Sequence, residues 1–520
     1  MIMKKHIILF LSIFAFIGCT GNFDEINTDR NNLTEVGQRE MPFMFAKAQS
    51  SSAMNRSFYQ TVQNLGADLY SQYFALASTS FSTDRYVLVP DWQRRFWTVV
   101  YVDTAPQLKA IQDASAENSG ERALADILWV YTFHRLTDHF GPIPYFDAAK
   151  AQDVIAYNPM KDIYDDFFKK LDNAVNILNS LESGTTVFKG YELMYNGDIA
   201  KWKAFANTLR LRLALRISKV DANRAKTEAE AAVASGVLTA NAQNAFITKA
   251  QAGNDTNGLS QVAAWNEFAM SSTMASYLKG YQDPRLAVYF QPNVTDGTYT
   301  SLRNGLSTTA LGLARNKPAQ NSNVGTYWAV QNADKTFSPN LTASFHIMCC
   351  AEAYFLRAEG ALNGWSMQGT AQSLYEEGIK QSMQQWGIGL ESNSTVIANY
   401  IASTNTPVAP GDSENSPAVA TTSIKWASTV AEQRKQIGTQ KWLAIYPNGM
   451  EAWAEFRRTG YPTMYPIVQA DNSLLPAGTF IKRLPFPLTE AANNAAELAK
   501  GQALLGGADN VATPLWWDVD

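Results

Sequence analysis

The stretch ERALADILWVYTFHRLTDHFGPIPYFDA, residues 121–148, decides the fold class of this chain. Apolar side chains recur every three or four residues from Leu124 to Leu136, which places them on one face of an α-helix. A Gly-Pro dipeptide follows directly, and these two residue types commonly end helices. The stretch therefore predicts a helix over residues 121–140 that stops at a sharp turn.

The same helical spacing continues toward the C-terminus, where the predicted helices come in pairs. The next helix begins at Asn158-Pro159, which we interpret as an N-cap followed by a proline at the first helical position. Paired helices that each bury one face favour an α-solenoid or tetratricopeptide-like stack, although no clean 34-residue period is present. The further helices are predicted over residues 202–217, 221–236, 348–362, 371–386, 430–445 and 450–457, with Asp221 as a cap.

Two long segments between the helices lack this periodicity. Residues 253–345 and 392–422 are rich in Asn, Gly, Thr and Ser, with scattered aromatic residues. Loops carried on a rigid scaffold are where binding residues concentrate. We predict a mostly α-helical chain of helical hairpins, with binding residues concentrated in these long loops.

The N-terminus has the features of a secretory signal peptide over residues 1–18. Lys4 and Lys5 precede an apolar run of eleven residues, which is too short for a helix that spans a bilayer. The run ends in Phe-Ile-Gly-Cys, which resembles a bacterial lipobox and predicts lipid attachment at Cys19. The alternative is an ordinary signal peptide whose last residue happens to be a cysteine.

Residues 19–32 are polar and acidic, and we interpret them as a tether between the lipid and the folded body. The pair Asp24-Glu25 resembles the acidic surface-export signal of Bacteroidetes lipoproteins. These features predict a protein of the outer membrane that is lipid-anchored and faces the cell exterior. The chain carries a net charge of −4, which argues against a nucleic-acid partner because phosphate binding needs a basic face.

No catalytic, metal or cofactor motif is present, so we predict a protein that is not an enzyme. The sequence lacks H-E-x-x-H, paired C-x-x-C and G-x-S-x-G motifs, and Cys349-Cys350 reads as a pair of small buried side chains. His134, Asp138 and His139 could form a metal or acid-base cluster, but the last turn of a helix is the favoured interpretation. A surface glycoside hydrolase would need a pair of carboxylates, and no spacing singles one out among 47 acidic residues.

Aromatic residues are the positive signal, at 12% of the chain. Sugar rings pack their apolar faces on flat aromatic side chains, while polar groups bind the hydroxyls. Tryptophans inside the amphipathic helices are expected to be core residues, so aromatic residues in polar contexts are the better candidates. The predicted ligand-binding residues, for which packing within loops is the alternative, are Tyr86, Trp92, Tyr299, Tyr327 and Trp328.

Several of these segments, taken together, resemble the SusD/RagB family of outer-membrane lipoproteins, in its SusD-like branch. Residues 121–148 resemble that family's helix and following FG-x-I/V-P turn. Further landmarks occur in family order over nearly all of the chain: KWKAFANTLRLRLALRIS (201–218), MCCAEAYFLRAEGALNGW (348–365), IGTQKWLAIYPNGMEAWAEFRRTGYP (437–462) and LWWD (515–518).

The resemblance implies a mostly α-helical fold in which four tetratricopeptide-like hairpins pack against a loop-rich ligand-binding region, within a single SusD-like domain over residues 33–520. A further implication is a SusC-type TonB-dependent transporter as partner, over which the protein sits as a lid. It also implies glycan capture at the cell surface without catalysis, followed by delivery to the transporter. Capture of peptides or another nutrient for the same type of transporter is the alternative, and a surface glycosidase is a weaker one. Arg210, Arg212 and Arg216 are expected to pair with carboxylates between helices, so they do not indicate a substrate clamp.

Overall fold

The computed structural model describes residues 36–152, 154–476 and 478–519. Within these residues α-helices dominate, and the strands are short and pair only in twos. The mostly helical fold class predicted from the sequence is confirmed. Cys19, the predicted signal peptide and the predicted tether lie outside the described residues.

The helices of eight or more residues form the scaffold. In chain order they are α1 Met41–Ser52, α2 Pro90–Thr98, α3 Ala105–Ala114, α4 Gly120–Phe140, α5 Met160–Ser180, α6 Ile199–Arg216, α7 Ala222–Ser235, α8 Gly258–Trp265, α9 Ser272–Gly280, α10 Cys350–Leu362, α11 Ala371–Gln384, α12 Val430–Ala444, α13 Gly449–Thr459 and α14 Ala495–Ala503. Shorter α-helical segments are Arg56–Tyr59, Asp68–Tyr70, Leu286–Tyr289, Thr308–Gly312, Val396–Ile401 and Leu488–Asn493. Two π-helical segments are Gln60–Ala67 and Val99–Thr104.

Three of the predicted helix pairs pack as hairpins. Helix α4 packs on α5, α6 on α7, and α10 on α11. Contacts between α5 and α6, α6 and α10, and α10 and α12 join the pairs into one stack. Both helices of the predicted fourth pair are present, but α13 packs more on residues 60–70 than on α12. The scaffold is therefore a stack of helical hairpins whose last helix turns toward the N-terminal part of the chain.

Local capping explains where most of these helices begin. The Asp221 side chain accepts a hydrogen bond from the backbone N–H of Arg224 and caps α7, as predicted. The predicted cap at Asn158 is wrong by one residue, because Pro159 is the N-cap of α5. Asn158 instead pairs in a short strand, and its Oδ1 accepts the backbone N–H groups of Tyr145 and Phe146.

The predicted start of α10 at residue 348 is two residues too early. Residues Phe345–Met348 form strand β8, which pairs antiparallel with β4, Ala245–Ile247, so their backbone groups belong to a ladder. The other antiparallel pairs join β1 Phe74–Leu76 to β5 Phe268–Met270, β2 Ile143–Pro144 to β3 Tyr157–Asn158, and β6 Ala329–Gln331 to β7 Phe337–Pro339.

Buried ion pairs tie the helix pairs together, and the prediction for the α6 arginines is confirmed. Arg212 makes a two-point contact with Glu352 of α10, at 2.7 Å for both nitrogen–oxygen pairs. Arg216 donates to Glu451 of α13 at 2.6 Å, and Arg210 to Glu228 of α7 at 2.5 Å. Breaking such a pair leaves a buried charge unpaired, so the network fixes how neighbouring helices pack.

The two loop-rich segments pack on each other beside this scaffold. Residues 253–345 contain α8, α9 and strands β5 to β7, whereas residues 392–422 contain the short helix Val396–Ile401. The Ser276 hydroxyl donates to the Val408 carbonyl oxygen at 2.6 Å, and the Tyr281 hydroxyl donates to that of Thr422 at 2.9 Å. The segments are thus held in defined positions against the helices.

Candidate functional site

Helix α2 presents a tryptophan at the surface. Pro90 occupies the first helical turn, where it has no hydrogen bond to lose, and Trp92 follows on the same turn. The half-buried Trp92 ring meets the Phe81 ring edge to face, with the centroids 6.0 Å apart. The start of this helix therefore contributes to an aromatic pair at the surface.

Charged side chains on the same helix are held by short-range ion pairs. Asp91 accepts hydrogen bonds from Arg94 at 2.6 Å and from Arg95 at 3.2 Å. The bond from Arg94 lowers the pKa of Asp91 below its usual value. Arg95 also donates to the Thr61 hydroxyl at 3.4 Å, which links α2 to the π-helix Gln60–Ala67.

A second tryptophan, Trp265, lies at the end of α8 and is 51% exposed. Asn266 follows in the left-handed conformation and ends the helix, and Glu267 leads into β5. The Glu267 carbonyl oxygen accepts the backbone N–H groups of Ala77 and Ser78. Pairing of β1 with β5 therefore brings the end of α8 next to the segment that leads to Phe81.

Polar groups link the segments that carry these two tryptophans. Gln60 donates to the Glu267 carboxylate at 2.6 Å, and burial raises the pKa of Glu267. The π-helix that begins at Gln60 packs against both α2 and α8. We call this surface the Trp92 face and define it by Gln60, Phe81, Trp92, Trp265 and Glu267.

The Trp92 face is a surface and not a pocket. The crevice beneath Trp92 has a volume of about 30 Å³ and is lined by Leu88, Val89 and Phe96, among others. Sites that enclose a small molecule measure about 300–1,000 Å³. A ligand would therefore lie across the rings, where both ends of a long chain stay in solvent.

The other four predicted ligand-binding residues lie away from this face or below the surface. Tyr86 is 2% exposed and packs edge to face on Tyr70, and Trp328 is 1% exposed and packs on Tyr446. Neither ring offers a face to a ligand, so these two residues are corrected to packing positions. The physical reason is that neighbouring aromatic rings already cover them.

Tyr299 and Tyr327 are half-buried, but at separate places. The Tyr299 carbonyl oxygen accepts a hydrogen bond from Lys279 at 3.2 Å. The Tyr327 hydroxyl accepts the backbone N–H of Ser344 at 3.1 Å, and its ring packs on Trp386. Of the five predicted ligand-binding residues, the Trp92 face therefore includes Trp92 alone.

Sequence reasoning missed Trp265, although a signal was present. The buried stripe of α8 consists of Leu259, Val262 and Ala263, and Trp265 falls outside it. A tryptophan off the apolar stripe and directly before a helix-ending Asn is expected to be exposed. The short length of α8 hid this pattern within a loop-rich segment.

His134 and His139 do not form a metal or acid-base site. The Nδ1 atom of each contacts a carbonyl oxygen of the same helix, that of Val130 and that of Arg135. Both rings are 1% exposed, and burial lowers their pKa well below the usual value. Among the described residues, no group of three potential metal-binding side chains comes together.

The sequence profile of a known family covers almost the entire chain. The SusD-like family, described as "Susd and RagB outer membrane lipoprotein", matches residues 22–518. The chain belongs to the SusD-like family. Within the described part of the chain, no helix combines the length and the apolar character needed to cross a membrane.

Solved SusD-like structures share this fold over their whole length. A chitin-binding SusD homologue from Flavobacterium johnsoniae is 34% identical, with a TM-score of 0.82, over 92% of this chain and 99% of that one. A SusD homologue from Bacteroides vulgatus is 31% identical, with a TM-score of 0.82, over 92% and 98% of the two chains. None of the curated protein sequences compared with the chain matches it. The predicted family resemblance is confirmed.

Proposed function

We propose that this protein binds glycans at the cell surface and delivers them to a SusC-type TonB-dependent transporter, without catalysing a reaction. Membership of a family of outer-membrane lipoproteins supports the location, and the chitin-binding relative supports a carbohydrate ligand. A lipid on Cys19 would hold the protein to the membrane, with residues 33–520 as one domain on the exterior side.

The observation that carries this proposal is the exposed ring of Trp265, on a segment that the Gln60–Glu267 hydrogen bond joins to the π-helix beside Trp92. Large aromatic side chains that stay exposed give up the free energy of burial, about 25 cal/mol per Å² of apolar surface. A sugar ring laid on the indole recovers part of that free energy. Gln60 and Glu267, which join the segments that carry the two tryptophans, supply the donor and acceptors that sugar hydroxyls need.

The shape of the Trp92 face suits a polymer better than a free monosaccharide. Because the crevice beneath Trp92 is small, binding depends on several rings spread over a surface. Contacts spread in this way are individually weak, and together they hold a chain that must later be released. Tyr299 and Tyr327 remain proposed as outlying contacts for a long ligand.

Affinity electrophoresis of the chain from residue 20 onward tests this proposal. Chitosan-type and N-acetylated chitin polymers are compared with starch and a β-glucan, because the 34%-identical relative binds chitin. We expect retardation by one glycan and its loss in Trp92→Ala and Trp265→Ala. The matched control is Trp516→Ala, a half-buried tryptophan outside the Trp92 face, which should keep the retardation.

Retardation that survives both substitutions would show that the glycan does not bind at the Trp92 face. A lack of retardation by every glycan, together with peptide uptake that depends on the protein, would favour peptide capture over glycan capture. Release of reducing sugar from a retarded glycan by the purified protein would contradict the absence of catalysis.

A further inference from the structure

A separate concave site lies in the helical scaffold, between α10, α12 and α13. Its volume is about 440 Å³, within the range of about 300–1,000 Å³ that is typical of small-molecule sites. It shares no lining residue with the Trp92 face. We call it the Arg434 pocket, and the lining residues that matter here are Asn363, Trp365, Arg434, Lys441, Arg458 and Tyr461.

Two aromatic side chains form apolar walls of the Arg434 pocket. Trp365 follows the end of α10 and Tyr461 follows the end of α13, and both are half-buried. Gly438 of α12 lies against Tyr461, because a Cβ atom at residue 438 would come within 2.6 Å of the Tyr461 Cβ. The absence of that side chain lets the tyrosine approach α12 and close one side of the pocket.

The carboxylates in the pocket wall are already engaged by cations. Arg458 contacts both oxygens of Glu359, at 2.7 and 2.6 Å, and both oxygens of Glu455, at 3.1 and 2.8 Å. Lys441 lies 2.8 Å from the same Glu455 carboxylate. Burial opposes ionisation of Glu455, but Arg458, Lys441 and Arg216 outweigh it and hold its pKa well below the usual value. These acids therefore have little capacity for a further cation.

Arg434 is in a different situation, because its hydrogen-bond partner is neutral. Its Nη2 donates to the Asn363 side-chain oxygen at 2.7 Å, and the guanidinium is half-buried. No carboxylate of the described residues lies within ion-pair distance of Arg434. A guanidinium has five N–H donors in a planar fork that fits a carboxylate at two points. The pocket thus combines an uncompensated positive charge with aromatic walls in a chain of net charge −4.

We propose that the Arg434 pocket binds a small ring-shaped carboxylate of the hexuronic acid type. The carboxylate pairs with Arg434, and the apolar face of the ring lies against Trp365 or Tyr461. The Asn363 amide is within reach of the same ligand because it already contacts Arg434. This site adds a ligand to the protein and does not depend on glycan binding at the Trp92 face.

Isothermal titration calorimetry with two matched probes tests the pocket. The probes are 4-nitrophenyl β-D-glucuronide and 4-nitrophenyl β-D-glucoside, which differ only at C6, where the first has a carboxylate and the second a hydroxymethyl group. We expect the glucuronide to bind at least about tenfold more tightly than the glucoside, because only the glucuronide can form a charge-assisted pair with Arg434. Arg434→Gln should abolish this preference, and Arg434→Lys should restore part of it.

Two control variants test whether the preference arises at the Arg434 pocket. Lys435→Gln removes a neighbouring positive charge on α12 that pairs with Glu432 at the surface, and it should leave the preference unchanged. Trp265→Ala should also leave it unchanged, so a failure here is distinct from a failure at the Trp92 face. Equal affinity for both probes, no binding of either probe, or a preference retained by a folded Arg434→Gln protein would overturn the proposal.

Discussion

Asp68 is a buried carboxyl group whose closest partners are neutral. Tyr59 donates to its Oδ2 at 2.9 Å, and Gln63 donates to its Oδ1 at 3.2 Å. Burial raises the pKa of Asp68 from the usual 3.8 to about 7, and these hydrogen bonds oppose the shift without cancelling it. The folded protein therefore binds a proton at this group over a pH range where the unfolded chain has released it.

Asp68→Asn should change how stability depends on pH. Because the pKa of Asp68 is raised in the folded state, the free energy of unfolding of the native protein falls by up to a few kcal/mol as pH rises from about 4 to about 7. Asparagine does not titrate, so Asp68→Asn lacks this contribution. The free energy of unfolding of the native protein should fall relative to that of Asp68→Asn over this window, as measured by urea unfolding. A constant difference between pH 4 and 7 would contradict the assigned pKa shift.

The candidate site shows what single residues reveal in a sequence. The polar context of Trp92 predicts a ligand-binding position, and the structure places this residue at the surface. The same reasoning also selects Tyr86 and Trp328, which are buried, because polar neighbours in the chain do not show which rings cover a side chain in space. Trp265 was missed, since its exposure depends on where a short helix ends.

At the scale of elements, capping residues predict where a helix begins when one side chain accepts the first free backbone N–H groups. Asp221 accepts the Arg224 N–H at 3.1 Å and begins α7, which packs on α6. Asn158, in contrast, has the sequence context of a cap but serves a turn between strands. Which of two nearby backbone groups such a side chain binds depends on tertiary packing, which periodicity does not report.

Asp221→Ala should weaken the second helix hairpin. Loss of an N-cap side chain costs about 1 kcal/mol, so the free energy of unfolding should fall by roughly that amount. Asp221→Ser keeps an oxygen that can accept the same N–H and should recover most of the loss. The measurement is urea unfolding of the three proteins at one pH. Equal stability of the alanine variant and the native protein would show that the cap contributes nothing.

At the scale of the whole molecule, the fold can be predicted from the order of the landmark segments along the chain. Residues 201–218, 348–365 and 437–462 correspond to helices that the buried ion pairs of Arg212 and Arg216 join, and Asp138 of residues 121–148 lies 3.6 Å from Arg216. The ligand could not be predicted in the same way, because these segments are scaffold. The Trp92 face is assembled from residues 60–95 and 265–267, which are far apart in the chain and come together through the pairing of β1 with β5.

The proposed membrane anchor concerns the whole molecule too, since it sets where the protein works. Cys19→Ala expressed from the full-length gene should lose lipid attachment and appear in the soluble fraction, because a lipid chain supplies about 0.8 kcal/mol per buried methylene. Fractionation and labelling with a radioactive fatty acid measure both effects. A Cys19→Ala protein that stays in the outer-membrane fraction and keeps the label would contradict lipidation at this cysteine.

Glycan binding across the Trp92 face is the property on which the proposed function depends. It can be measured by calorimetric titration of the native protein, Trp265→Phe and Trp265→Ala with N-acetylchitohexaose. We expect binding by the native protein, about tenfold weaker binding by Trp265→Ala, and an intermediate affinity for Trp265→Phe, which keeps a flat ring. Equal affinity of all three proteins for the oligosaccharide would contradict binding at this face.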